Sequence, residues 1–261
     1  MMLRLAIVAT VLAACASAAV ASSPPSFKVD PISVTLPAGN TSALVSVANQ
    51  SDQSIRFQVT GAAWRQSLGG KMQLQPTQSL VFFPTVFTVD AGQTKKIRVG
   101  VTSMAGNVEQ TYRLTIQQLP PLEQVLAPSK GATVNTVFRI SIPVFVEPRA
   151  PISSRYDITP PVVADGALAF QFVNDGNAHV QLDGVRVIGR NASGATVFDY
   201  RDRAWYVLAG GRRAWSFGVT RAQCQATRSV DISFSSEGLA PAQQPAKSFT
   251  TSNLNCAAAT P

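Results

Sequence analysis

The residues able to do chemistry in this chain are few and far apart. The one histidine, His179, stands in a turn beside Asn177. A Ser-His-Asp mechanism would have to use it, and no serine sits in a GxSxG-like context. Zinc or copper held by β-sandwiches takes several His or Cys ligands, which one histidine and two distant cysteines do not supply. Carboxylates are scarce, 14 against 22 Lys and Arg, and no close pair suggests glycosidase chemistry. The Asp-Gly steps at 165–166, 175–176 and 183–184 are isolated turns rather than clustered calcium ligands. The expectation is therefore a protein that is not an enzyme, with no metal, cofactor or small-molecule substrate. Its net charge of +8 comes from dispersed arginines without interleaved aromatics, which argues against nucleic acid. A soluble basic surface and attraction to an acidic group on a partner both remain open readings of that charge.

The pair Cys224 and Cys256 reads as a disulfide if the chain is exported. Such a bridge closes a loop of about thirty residues, worth roughly 3 kcal/mol in the chain-entropy account. Export is the reading of the N-terminus. Residues 1–21 combine Arg4, an apolar stretch from Leu5 to Leu12 and then small residues, as a signal peptide does. The "ASA" at 16–18 and "AVA" at 19–21 suit ordinary cleavage, whereas "LAAC" at 12–15 resembles a lipoprotein signal with Cys15 lipidated.

A different kind of activity is suggested by "TVNTVFRISIPVFVEP", residues 133–148. Val134, Phe138, Ile140, Ile142, Val144 and Val146 share one parity, so in a strand they share one face. Long apolar edges pair with other chains and are normally avoided, so keeping one implies that pairing is its task. Pro143 offers no N–H, so ladder pairing on its side should lapse there. Val144 and Val146 read as core.

The elements that must position this strand are all β. Short alternating runs cover 27–36, 41–50, 55–64, 80–89, 94–102 and 111–119, with "PAGN" (37–40) and "DAGQ" (90–93) as turns. Together they predict an immunoglobulin-like sandwich over 22–148. Pro148, Pro151, Pro160 and Pro161 mark a linker at 149–161. Seven further runs predict a second immunoglobulin-like sandwich over 162–261. No helix is expected in either.

Three stretches resemble a known family: "FFPTVFTVDAGQTKKIRVGV" (82–101), "EQTYRLTIQQLPP" (109–121) and "FRISIPVFVEP" (138–148). They are similar to segments of the periplasmic chaperone–usher pilus (fimbrial) assembly chaperones, in the divergent archaic, spore-coat-like branch. The resemblance implies two tandem immunoglobulin-like domains in a boomerang, located in the periplasm. It implies that the last strand of the first domain completes a pilus subunit lacking its own final strand, and that an outer-membrane usher then receives the subunit. Val134, Phe138, Ile140 and Ile142 would enter the subunit; a self-capping dimer and a locally disordered loop at 127–135 are both open as ways to shield them beforehand. Family members hold the subunit's terminal carboxylate with two cations, but the matching positions here are Ser33 and Pro143. Arg113, opposite the apolar face of its strand, is the first replacement candidate and Arg139 the second. The competing expectation is an exported structural or adhesive two-domain sandwich, lipid-anchored through Cys15.

Overall fold

The computed structural model describes residues 26–120, 137–236, 244–251 and 254–259. The signal segment with Cys15, and Val134, lie outside them. The first sandwich opens with β1 (Phe27–Asp30) and β2 (Val34–Leu36), which belong to opposite sheets. The single run expected over 27–36 is thus two strands, and the chain changes sheet at the cis Asp30–Pro31 peptide. The run at 80–89 divides in the same way. It forms β6 (Leu80–Phe83) and β7 (Val86–Val89) on either side of the cis Phe83–Pro84 peptide. One sheet has the order β1-β3-β8-β6, with β3 at Ser42–Asn49 and β8 at Thr94–Val101. The other has the order β2-β10-β9-β4-β5, with β7 also pairing β4. Here β4 is Ile55–Gln66, β5 Met72–Gln75, β9 Gln110–Gln118 and β10 Arg139–Val146.

Alternation explains the burial. Val45, Val47, Ile97, Val99, Leu114, Ile116, Val144 and Val146 are fully enclosed between the two sheets. Gly39 and Gly92, in the two turns named above, take the positive φ those turns require. The all-β immunoglobulin-like expectation is met in both halves.

The proposed linker is shorter than 149–161, because β11 (Tyr156–Ile158) already pairs with β13 (Ala167–Asn174) of the second sandwich. That sheet adds β12 (Val162–Ala164) and β18 (Arg212–Gly218). The facing sheet runs β16-β15-β19-β20, at Thr196–Arg203, Gly184–Arg190, Ser229–Ser235 and Ala246–Thr250. A two-residue ribbon joins β14 (Val180–Gln181) to β17 (Tyr206–Val207).

Among the described residues one α-helix occurs against expectation, α1 (Arg221–Ala226), started by a capping box between Thr220 and Gln223, besides a 3-10 turn at Cys256–Ala258. Its Cys224 is bridged to Cys256 across 32 residues, as the cysteine pattern predicts.

Candidate functional site

Hydrogen-bond parity defines the exposed side of β10. The Phe138 carbonyl accepts from the Gln118 N–H at 2.9 Å, and the antiparallel register runs unbroken from Arg139↔Gln117 to Val146↔Gln110. Even-numbered residues therefore exchange bonds with β9, while odd-numbered backbone groups face the other way. On that other side β2 pairs only with Val144, Phe145 and Val146. The ladder ends where Pro143, with no N–H, takes its place in the strand. Upstream of it, the backbone groups of Arg139 and Ser141 meet no strand among the described residues. Five residues of strand thus keep an open edge.

The apolar parity divides one step earlier, between Ile140 and Ile142. Phe138 is 42% exposed and Ile140 half-buried, with the Phe138 ring edge-on to Phe27 at 6.3 Å. Ile142, expected among the residues offered outward, is 2% exposed and packed in the core of its own sandwich. It sits opposite Leu114, where β9 and the facing sheet already enclose it. Val144 and Val146 are core as well.

The two arginine candidates differ sharply. Arg139 is exposed, and its Nε and Nη2 both donate to Gln117 Oε1, at 3.0 and 2.7 Å. Arg113 is 6% exposed and lies directly across from Pro143. Its cation therefore stands one strand away from Pro143, one of the two positions where the resemblance places a cation. Its Nη2 donates to the Ser141 carbonyl at 2.8 Å, on the open edge, and its Nε to Ser141 Oγ at 3.3 Å. Nη1 is buried without a hydrogen-bond partner. The guanidinium lies 4.9 Å from the Trp64 ring centre and 5.4 Å from that of Trp205. Burial lowers its pKa from the ordinary value, and the neighbouring Tyr206 partly opposes this. A buried cation with an unused donor is costly until an anion meets it.

The wall around Arg113 comes from both sandwiches. Trp64, Phe145 and Leu208 form a small third core, with Trp205 and Tyr206 packed against it. Burial raises the Tyr206 pKa, partly offset by Arg113 and by Ser33, the other position lacking the expected cation. His179 is not free in solvent. Its ring stacks on Phe145 at 3.7 Å, and its Nδ1 and backbone N–H each lie 2.9 Å from the carboxylate of Glu109. The Glu109 side chain is 2% exposed, so this pair fastens the two sandwiches from within. Sequence reasoning missed Trp64, Trp205, Tyr206 and Glu109 because nothing in local periodicity marks contacts between distant segments.

The geometry can bind an extended chain along the Arg139–Pro143 edge and an anion beside Pro143. Residues 26–151 match the family described as pili and flagellar-assembly chaperone, PapD N-terminal domain. No curated protein matches the chain. Among solved structures, a chain of the CsuC-CsuE chaperone-tip adhesion subunit pre-assembly complex, from the archaic chaperone-usher Csu pili of Acinetobacter baumannii, is 18% identical. The match spans 85% of this chain and 97% of that one, with a TM-score of 0.57. The class 5 fimbriae chaperone CfaA is 16% identical over 85% and 98% of the two chains, with a TM-score of 0.55. A chain of the Salmonella enterica SafA pilin complex with the SafB chaperone is 16% identical over 88% and 98%, with a TM-score of 0.56. At such identities the likeness is one of fold: two immunoglobulin-like sandwiches in tandem.

Proposed function

We propose, from the match of residues 26–151 to the pili and flagellar-assembly chaperone family, that the chain holds pilus subunits in the periplasm by lending them β10. The observation that carries this reading is the open Arg139–Pro143 edge ending beside Arg113, whose buried Nη1 has no hydrogen-bond partner. A subunit strand laid along that edge gains backbone hydrogen bonds, while Phe138 and Ile140 fill the subunit's unfinished core. Its terminal carboxylate meets Arg113 in a charge-assisted contact. The complexes of CsuC with CsuE and of SafB with SafA join a chaperone to a pilus component, which is the partnership proposed here. Residues 1–21 direct export, and an outer-membrane usher is the receiver. The usher's docking face is the outer surface of β3, β8 and β6, where Leu44, Val81 and the 77%-exposed Phe83 surround Arg98.

The test is native mass spectrometry of the protein purified from the periplasm of its host. A one-to-one complex with a small secreted β-protein is expected, and that complex should co-migrate with the usher's periplasmic domain in gel filtration. Ile140→Asp should abolish the complex while leaving the circular dichroism spectrum intact. Undiminished complex formation by that variant removes β10 as the lent strand. A lone chain carrying a diacylglycerol mass on Cys15 replaces the chaperone reading with a tethered structural protein.

A further inference from the structure

We propose that Gln66 is the positioning residue of the carboxylate anchor, holding the aromatic wall of the second sandwich against Arg113. The proposal rests on the reading of Arg113 as anchor and adds a residue that touches neither the guanidinium nor the bound chain.

The argument begins with the length of β4. It spans 12 residues, and its last turn, paired with β5 through Gln66↔Met72, reaches the second sandwich. There the Leu68 carbonyl accepts from the Ala214 N–H at 2.9 Å. Gly70 lies so close under Arg213 that a Cβ would stand 2.9 Å from its Nε. Between these contacts the Gln66 amide meets the strand carrying the wall. Its Nε2 donates to the Tyr206 carbonyl at 2.7 Å, and its Oε1 lies 3.4 Å from the Leu208 N–H. The first is a full hydrogen bond and the second a weak one.

That strand needs the support. β17 consists of Tyr206 and Val207 alone, paired on one side with Val180 and Gln181. Gln66 engages the main chain on both sides of Val207, as a peptide group of a neighbouring strand does. Trp205 and Tyr206 are each only half-buried, with ring centres 5.3 and 5.6 Å from that of Trp64. Its own sandwich holds this segment by that ladder, by the Leu182 N–H on the Trp205 carbonyl at 3.3 Å and by the Asn174 amide on the Val207 and Leu208 carbonyls at 3.0 and 3.1 Å. Gln66 is its tie to the first sandwich, and a wall that swings away from Arg113 admits water to it. Water screens the guanidinium and weakens its preference for a carboxylate over a neutral group.

The experiment compares two synthetic peptides on each protein: a short strand alternating valine and threonine with a free terminal carboxylate, and the same strand as its terminal amide. The readout is the ratio of their dissociation constants by fluorescence anisotropy, in which a general loosening of the cleft cancels. The natural protein should favour the carboxylate by about tenfold, the worth of one charge-assisted hydrogen bond. Gln66→Met, which removes these two hydrogen bonds and a weak third to the Gly70 carbonyl at 3.4 Å at nearly constant volume, should cut that ratio at least threefold. Trp205→Leu, which removes the wall itself, should cut it as far. An unchanged ratio in either variant overturns the proposal. A natural protein that does not distinguish the two peptides, or an Arg113→Gln variant that still does, overturns the anchor reading instead.

Discussion

At the residue scale, Arg113 is placed for binding at the expense of stability. Burial lowers its pKa, so the folded state disfavours the charged form at every pH below the ordinary arginine range, and no physiological titration relieves this. Against that stand the bonds to Ser141 and the two indole contacts. Replacing a buried cation by an apolar group of similar length is often neutral or stabilising. Arg113→Met should therefore unfold in urea within about 1 kcal/mol of the natural protein, while losing about tenfold in affinity for a carboxylate-terminated strand. A loss of stability beyond about 3 kcal/mol would instead make Arg113 a structural keystone. Arg113 was legible in the sequence because Tyr112, Leu114 and Ile116 fix the strand's parity and leave it on the opposite face. Its aromatic surroundings were not legible, because Trp64 and Trp205 come from different domains.

At the scale of elements, β10 does two jobs along one face, and Pro143 marks the change. Downstream, β2 and β9 flank the strand and its side chains are core; upstream, one edge is open. Sequence parity grouped Ile142 with the outward residues because periodicity reports a face and not whether a facing sheet covers it. The two halves should separate by mutation. Ile142→Ala should cost about 2–4 kcal/mol in urea unfolding, whereas Phe138→Ala should leave stability within about 1 kcal/mol and weaken subunit binding. Equal destabilisation by the two substitutions would mean that β10 is core throughout. The runs at 27–36 and 80–89 misled for a related reason. Alternation passes through Pro31 and Pro84 without a break in pattern, while the chain crosses from one sheet to the other. The capping box at Thr220 and Gln223 was a readable helix signal, and "MQLQ" at 72–75 gave none, since β5 is exposed along its whole length.

At the scale of the whole molecule, the two sandwiches differ in how charge supports them. In the second, Asp157 is paired with Lys247, Asp199 with Arg186 and Asp231 with Arg190 and the hydroxyl of Ser248, at 2.7–2.9 Å. Each contact holds its carboxyl below the ordinary range, hydrogen bonding being the first cause. A carboxyl with a lower pKa folded than unfolded contributes stability above its unfolded value and loses it as pH falls through its folded value. These pairs are solvent-exposed and individually small; the Asp231 contact is worth about 0.5 kcal/mol. They act together on one sandwich, because Lys247 of β20 ties one sheet to β11 of the other while Asp231 links β19 to both β15 and β20. Acidification below the ordinary carboxylate range should therefore loosen the second sandwich before the first. Hydrogen exchange followed by mass spectrometry should show β15, β16, β19 and β20 losing protection while β3 and β8 retain it, and Asp231→Asn should flatten the pH dependence in β19. Loss of protection in β3 and β8 first would refute the assignment of the acid-sensitive contacts to the second sandwich. The order matters for binding, because the wall that encloses Arg113 is carried by the sandwich expected to loosen first, so acid should release a carboxylate-anchored strand before it unfolds the domain that lends β10.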